Sequence, residues 1–147
     1  MNSIELQIHQ FQTYISTIPD TYQLSLETIE NSLVEEFETE CKDDPEKYIE
    51  YSGFYQEKVN NSKSKFLLPF LLSTYETIVD SMEEISKSLS LDPSVFEMYH
   101  KQAAKIMCGV DHIVKWEQYL EKLKRLEVLG ETFLTDISER MVGEKNV

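Results

Sequence analysis

The stretch Ser62–Leu89, SKSKFLLPFLLSTYETIVDSMEEISKSL, decides the fold. Its apolar positions Leu68, Leu71, Leu72, Tyr75, Ile78, Val79, Met82, Ile85 and Leu89 recur mostly three or four apart. That is the 3.6-residue period of a helix with one wide buried face. Its first half is the most apolar run in the chain, which predicts the central core helix. Pro69 leaves two readings there: the helix begins near Pro69, or it starts at about Ser64 and is kinked.

The same period extends outward from this stretch. Ile4, Ile8, Phe11, Ile15 and Ile18 step by four and three, and Pro19-Asp20 is expected to end that first helix. Leu26, Ile29, Leu33 and Phe37 predict a second, from about Thr21 or Ser25 to Cys41. Asp44 as cap and Pro45 in the first turn open a third, near residues 45–58, with Tyr48, Tyr51, Tyr55 and Val59 on one face. Those tyrosines are expected to be core, their hydroxyls reaching the rim. Gly53 weakens this helix, and Asn60-Asn61-Ser62 reads as a loop.

After the central helix, Asp92-Pro93 is a cap and first turn for a helix with Val95 or Phe96, Tyr99, Ala103, Ile106 and Met107 inward, stopped by Gly109. Asp111 is expected to cap the next, which carries Ile113, Trp116, Leu120, Leu123 and Leu126. Gly130 either ends that helix or lies inside a longer one continued by Phe133, Leu134, Ile137 and Met141. No alternating strand pattern and no repeat occurs. The prediction is an all-α bundle of six or seven helices in one domain over 1–147, with acidic helices in 1–60 and a core bundle in 61–142.

At 147 residues the chain is long enough to bury a core without disulfides or metal. The two cysteines, Cys41 and Cys108, have no Cys-x-x-Cys spacing and are expected to pack as small apolar residues. Met-Asn-Ser-Ile-Glu-Leu has no basic region followed by a long apolar run, so no secretion signal is expected, and FLLPFLL is far shorter than the ~20 residues that span a bilayer. A cytoplasmic setting is the simplest expectation. The net charge of −13 is uneven: residues 1–60 hold thirteen acids and three bases. Such a field repels phosphate backbones, so direct nucleic-acid binding by the acidic half is not expected.

Several chemistries lack their residues. His9, His100 and His112 are scattered, and Glu97-x-x-His100 has no second copy to complete a di-iron bundle. Cys108 and His112 are separated by a predicted turn and have no third group to orient them. Four dispersed glycines make no phosphate loop. Carboxylates alone are plentiful. Glu36 and Glu40, and Glu76 and Asp80, each lie one turn apart, and if the two pairs met they would hold Mg²⁺ before a diphosphate. That arrangement resembles the all-α nucleotide pyrophosphohydrolases. Their Glu-x-x-Glu half is matched by Glu35-x-x-Glu38, but their Glu-x-x-Asp half is missing, since the central helix offers Glu76-x-x-x-Asp80 and Asp80-x-x-Glu83. The bases gather late, as Lys101, Lys105, Lys115, Lys122, Lys124 and Arg125; an anion site is one reading, and solvated faces with pairs such as Glu121–Arg125 are the expectation.

The order of a long apolar helix (FLLSTYETIVDSMEEI), a capped helix, Gly-Val-Asp-x-x-x-x-Trp and a basic leucine-rich helix (YLEKLKRLEVL) resembles HEPN domains over about residues 64–130. Those are small helical bundles, often dimeric, found in prokaryotic toxin and defence systems, and many are ribonucleases. The resemblance implies an Arg followed closely by a polar residue and a His. Arg125 stands at the Arg position, but Gly130, Glu131 and Thr132 follow and no histidine comes after His112. The implied nuclease activity should therefore be absent. The sequence points to a non-catalytic helical module, without resident cofactor, that binds a protein partner or itself as a homodimer, in a regulatory or neutralising role. The alternative is the Mg²⁺-dependent hydrolase on Glu36, Glu40, Glu76 and Asp80.

Overall fold

The computed structural model describes residues 2–145. Every element among them is helical: α1 (Ser3–Cys41), α2 (Pro45–Ser88), α3 (Pro93–Met107), a single 3₁₀ turn (Val110–His112) and α4 (Trp116–Lys145). The all-α reading holds. The number of helices does not, because four helices replace the expected six or seven.

Two expected breaks are helix interior. Pro19 lies inside α1, and its missing N–H and ring clash cost about 3 kcal/mol. Ile15 and Ile18 before it, and Tyr22 and Leu26 after it, are all buried on one face. At about 1.5–3 kcal/mol for each large apolar side chain buried, continuing the helix outweighs the local penalty. Hydroxyls of Ser16, Thr17 and Thr21 donate to carbonyls of Thr13, Tyr14 and Thr17, supplying extra bonds around the proline. Asn60-Asn61-Ser62 is also helical, for a reason that lies in another helix.

α2, about 66 Å long by its 44 residues, packs against each of the other three helices, as expected of the central one. Pro69 is exposed within it and does not begin it. The buried stripe is turned slightly from the one read in sequence: Leu67, Leu71, Thr74, Ile78, Met82 and Ile85 point inward, while Leu72 is exposed. Thr74 tolerates the core because its hydroxyl donates to the Phe70 carbonyl.

The helix ends behave as their chemistry dictates. The Asp44 carboxylate accepts from the N–H groups of Glu46 and Lys47, and Asp92 accepts from Ser94 N–H. Gly109 takes the left-handed conformation after α3 (φ 79°). Asp111 does not cap α4; it sits in the 3₁₀ turn. Gly130 is buried inside α4, facing Ile15 and Phe11 of α1. The core joins Phe11 to Leu26 of α1, Leu67 to Ile85 of α2, α3, and Tyr119 to Ile137 of α4. It stops there, although α1 and α2 continue.

Candidate binding surface on a two-helix arm

α1 and α2 are antiparallel in a fixed register. Gln7 accepts from Ser88, Glu30 pairs with Lys63 (3.2 Å) and Glu36 with Lys58 (2.6 Å). α4 begins at Trp116 beside Asn60, so the hairpin beyond that level has no third helix against it. From Asn60 back to Pro45 the arm reaches about 22 Å past the bundle.

The root of the arm is a built junction. The Asn60 side chain accepts from Trp116 N–H (3.0 Å) and donates to the Val114 carbonyl (3.0 Å). It therefore caps α4 from a different helix, together with Gln118, whose Oε1 accepts from Val114 and Lys115. Lys63 is buried alongside, its ammonium 4.2 Å from the centre of the Trp116 ring and hydrogen-bonded to Glu30. A cation over an indole face is favourable where water is excluded. The apolar stem of Lys63 fills the gap between α1, α2 and the start of α4.

Along the arm, Leu33, Cys41 and Val59 are buried and Phe37 lies against Tyr48 and Tyr55, with ring centroids 5.3 and 5.1 Å apart. Two helices cannot cover a full stripe. Ile49 is 75% exposed, Phe54 62% and Tyr48 56%, and Tyr51 and Val34 also face solvent. Tyr48 and Tyr51 are thus surface, correcting the expectation that they form core, while Tyr55 is half-buried against Phe37 and Val59 is buried. A groove of about 230 Å³ runs along the arm, lined by Leu33, Phe37, Tyr51, Phe54 and Tyr55 and edged by Glu36 and Glu40, with Lys58 paired to Glu36 at its margin. Residues 30–60 hold ten acids and three bases, over half of the chain's net charge. The hydrogen bond from Lys58 to Glu36, aided by Glu40, pushes the Lys58 ammonium above its ordinary range.

The four carboxylates of the magnesium reading are not brought together. Glu36 and Glu40 stand on the arm level with Lys58 and beyond it. Glu76 and Asp80 are exposed on α2 at the level of the bundle, roughly 27 Å away along the axis. One Mg²⁺ needs its ligands at about 2.0–2.1 Å, so these residues cannot share it. Among the described residues no group of three or more His, Cys, Asp or Glu converges as a metal site. His9, His100 and His112 are exposed and lie on three different elements, α1, α3 and the 3₁₀ turn, and His100 stacks on Phe96. Cys41 is buried, as expected, whereas Cys108 is exposed at the end of α3.

The late bases divide by use. Lys122 donates to the carbonyls of Ile106 and Cys108 (2.7 and 2.8 Å), closing the end of α3. Lys105, Lys124 and Arg125 meet at a separate cleft between α3 and α4. The expected Glu121–Arg125 ion pair is not among the pairs the described residues form. No helix among the described residues is long and apolar enough to cross a membrane. No family model, no curated protein and no solved structure matches the chain.

Proposed function

We propose that the protein is a non-catalytic binding module whose α1–α2 arm grips a basic, amphipathic segment of a protein partner. The observation that carries this is the exposed Tyr51–Phe54 groove, edged by Glu36 and Glu40 on the most acidic stretch of the chain, on a projection of the fold. Apolar side chains left open on a charged surface mark interaction sites, and the charge selects the partner's sign. A second copy is a poorer occupant, because two arms would bring like charges together at the same contact. The Lys63–Trp116 junction fixes the arm's root, so less ordering is left to occur on binding. Occlusion of a basic surface by such an arm suits a neutralising or regulatory role.

The test is fluorescence anisotropy with a labelled synthetic helix of leucine and lysine. Its glutamate counterpart and a lysine-only peptide serve as controls. The leucine–lysine helix should bind with an affinity that falls as salt rises, and both controls should bind far more weakly. Phe54→Ser removes an apolar anchor worth about 1–2 kcal/mol, so binding should weaken about tenfold. Equal binding by Phe54→Ser, or binding of the acidic helix, would overturn the proposal.

A further inference from the structure

Away from the arm's groove, a cleft of about 460 Å³ lies between α3 and α4. In this acidic chain, the four ion pairs among the described residues use Lys58, Lys63, Lys87 and Arg140. Lys105 from α3 and Lys124 and Arg125 from α4 enter none of them, yet all three line one cleft, where Glu121 is the single carboxylate set against them. The floor beneath them is apolar: Ile106 and Leu129 are buried, and Val128 is left 60% exposed on the lip. A concave apolar surface of this size with a few convergent polar groups is the usual form of a small-molecule site. Carbonyls at the end of α3 would oppose an anion there, but the Lys122 ammonium already occupies those of Ile106 and Cys108.

The cleft also has a direction. Beyond Val128 and Thr132 it opens into a neighbouring groove lined by Glu131, Asp136 and Glu139. A negative head group is therefore drawn to the Lys105–Lys124–Arg125 end and excluded from the other. The stretch from Arg125 to Glu131 leaves about 9 Å for an apolar body. We infer that this cleft binds a soluble amphiphilic anion, its phosphate or carboxylate held by Lys105, Lys124 and Arg125 and its short apolar body laid on Ile106, Val128 and Leu129.

The test uses the full chain and octyl phosphate, octanoate, inorganic phosphate and octanol, with Kd from calorimetry and the site from NMR shifts. Octyl phosphate and octanoate should shift Ile106, Val128 and Leu129. They should bind at least about tenfold more tightly than inorganic phosphate, the apolar body supplying the difference. Octanol should not bind. Lys105→Glu and Arg125→Glu, both at exposed positions, should melt like the parent and each weaken octyl phosphate about tenfold or more, since each removes a charge-assisted bond. Val128→Asp should do the same from the lip. Binding of octanol as tight as octyl phosphate, shifts centred elsewhere, or unchanged affinity in these variants would overturn the assignment. Flotation with phosphatidylglycerol vesicles that soluble octyl phosphate fails to compete away would also overturn it, in favour of a membrane surface.

Discussion

Gly130→Ala tests the packing of α4 on α1. A Cβ at residue 130 would stand 2.6 Å from Ile15 Cδ1, 3.3 Å from its Cγ1 and 3.4 Å from Phe11 Cζ. Alanine gains about 1 kcal/mol over glycine inside a helix. Forcing a methyl into a filled core costs about 1–3 kcal/mol, so the net change is a loss of up to ~2 kcal/mol. Ile15→Val deletes the Cδ1 atom that stands in the way and alone costs about 0.5–1.5 kcal/mol. In the double variant the new methyl occupies the space that atom vacates. Its stability should exceed the additive expectation by about 1 kcal/mol or more, well outside the ~0.5 kcal/mol scatter of independent sites. Gly53→Ala is the control, since nothing lies within 4 Å of its Cβ position in α2. It should gain about 1 kcal/mol, a rise of roughly 2–4 °C in Tm at this chain length. The assay is urea unfolding followed by circular dichroism. A Gly130→Ala variant as stable as Gly53→Ala, or strict additivity with Ile15→Val, would refute the close approach of the two helices.

The arm's root and the ionisable groups give further predictions. Asn60→Ala should destabilise by about 1–2 kcal/mol, because it uncaps α4 and frees the Val114 carbonyl together; unfolding followed by Trp116 fluorescence reads it. Burial and the hydrogen bond to Asp136 push the Tyr99 hydroxyl well above its usual range, and burial beside Glu127 raises Tyr22. Raised pKa values favour the protonated fold, so stability should be fully present below about pH 10 and fall above it. Tyr99→Phe should flatten that fall in alkaline melts, at the cost of the Asp136 bond at neutral pH. Burial, then Glu131, raises the Glu127 carboxyl, whose Oε2 is buried without a hydrogen-bond partner among the described residues. Its charged form therefore weighs against the fold at pH 7 and not below about pH 4. Glu127→Gln should raise Tm at pH 7 and leave it unchanged below pH 4.

Which parts of this fold are legible in sequence follows from the range of the forces involved. The starts at Asp44-Pro45 and Asp92-Pro93 and the stop at Gly109 are local chemistry, and each stands where the residues place it. Pro19 and Asn60-Asn61 are also read by local rules, and there the rules lose. The penalty of Pro19 is outweighed by side chains buried against other helices, which a local window does not weigh. Asn60 looks like a loop residue because its partners, Val114 and Trp116, are more than fifty residues away. The same limit hid the arm. Tyr48, Tyr51 and Tyr55 repeat as a core stripe would, and only the level at which α4 begins decides that no third helix covers them. The pairing of Glu36 and Glu40 with Glu76 and Asp80 failed for the complementary reason: spacing within a helix says nothing about register between helices. The acidity of the first sixty residues was plain from sequence, and its concentration on a projecting hairpin was not.

The most direct test of binding through the arm is an NMR footprint of the leucine–lysine helix on the isotopically labelled full chain. Shifts concentrated on Leu33, Phe37, Tyr51, Phe54 and Tyr55, with the bundle core undisturbed, are the predicted result. Shifts centred on α3 and α4, or none at concentrations where anisotropy reports binding, would contradict the assignment of the arm as the binding surface.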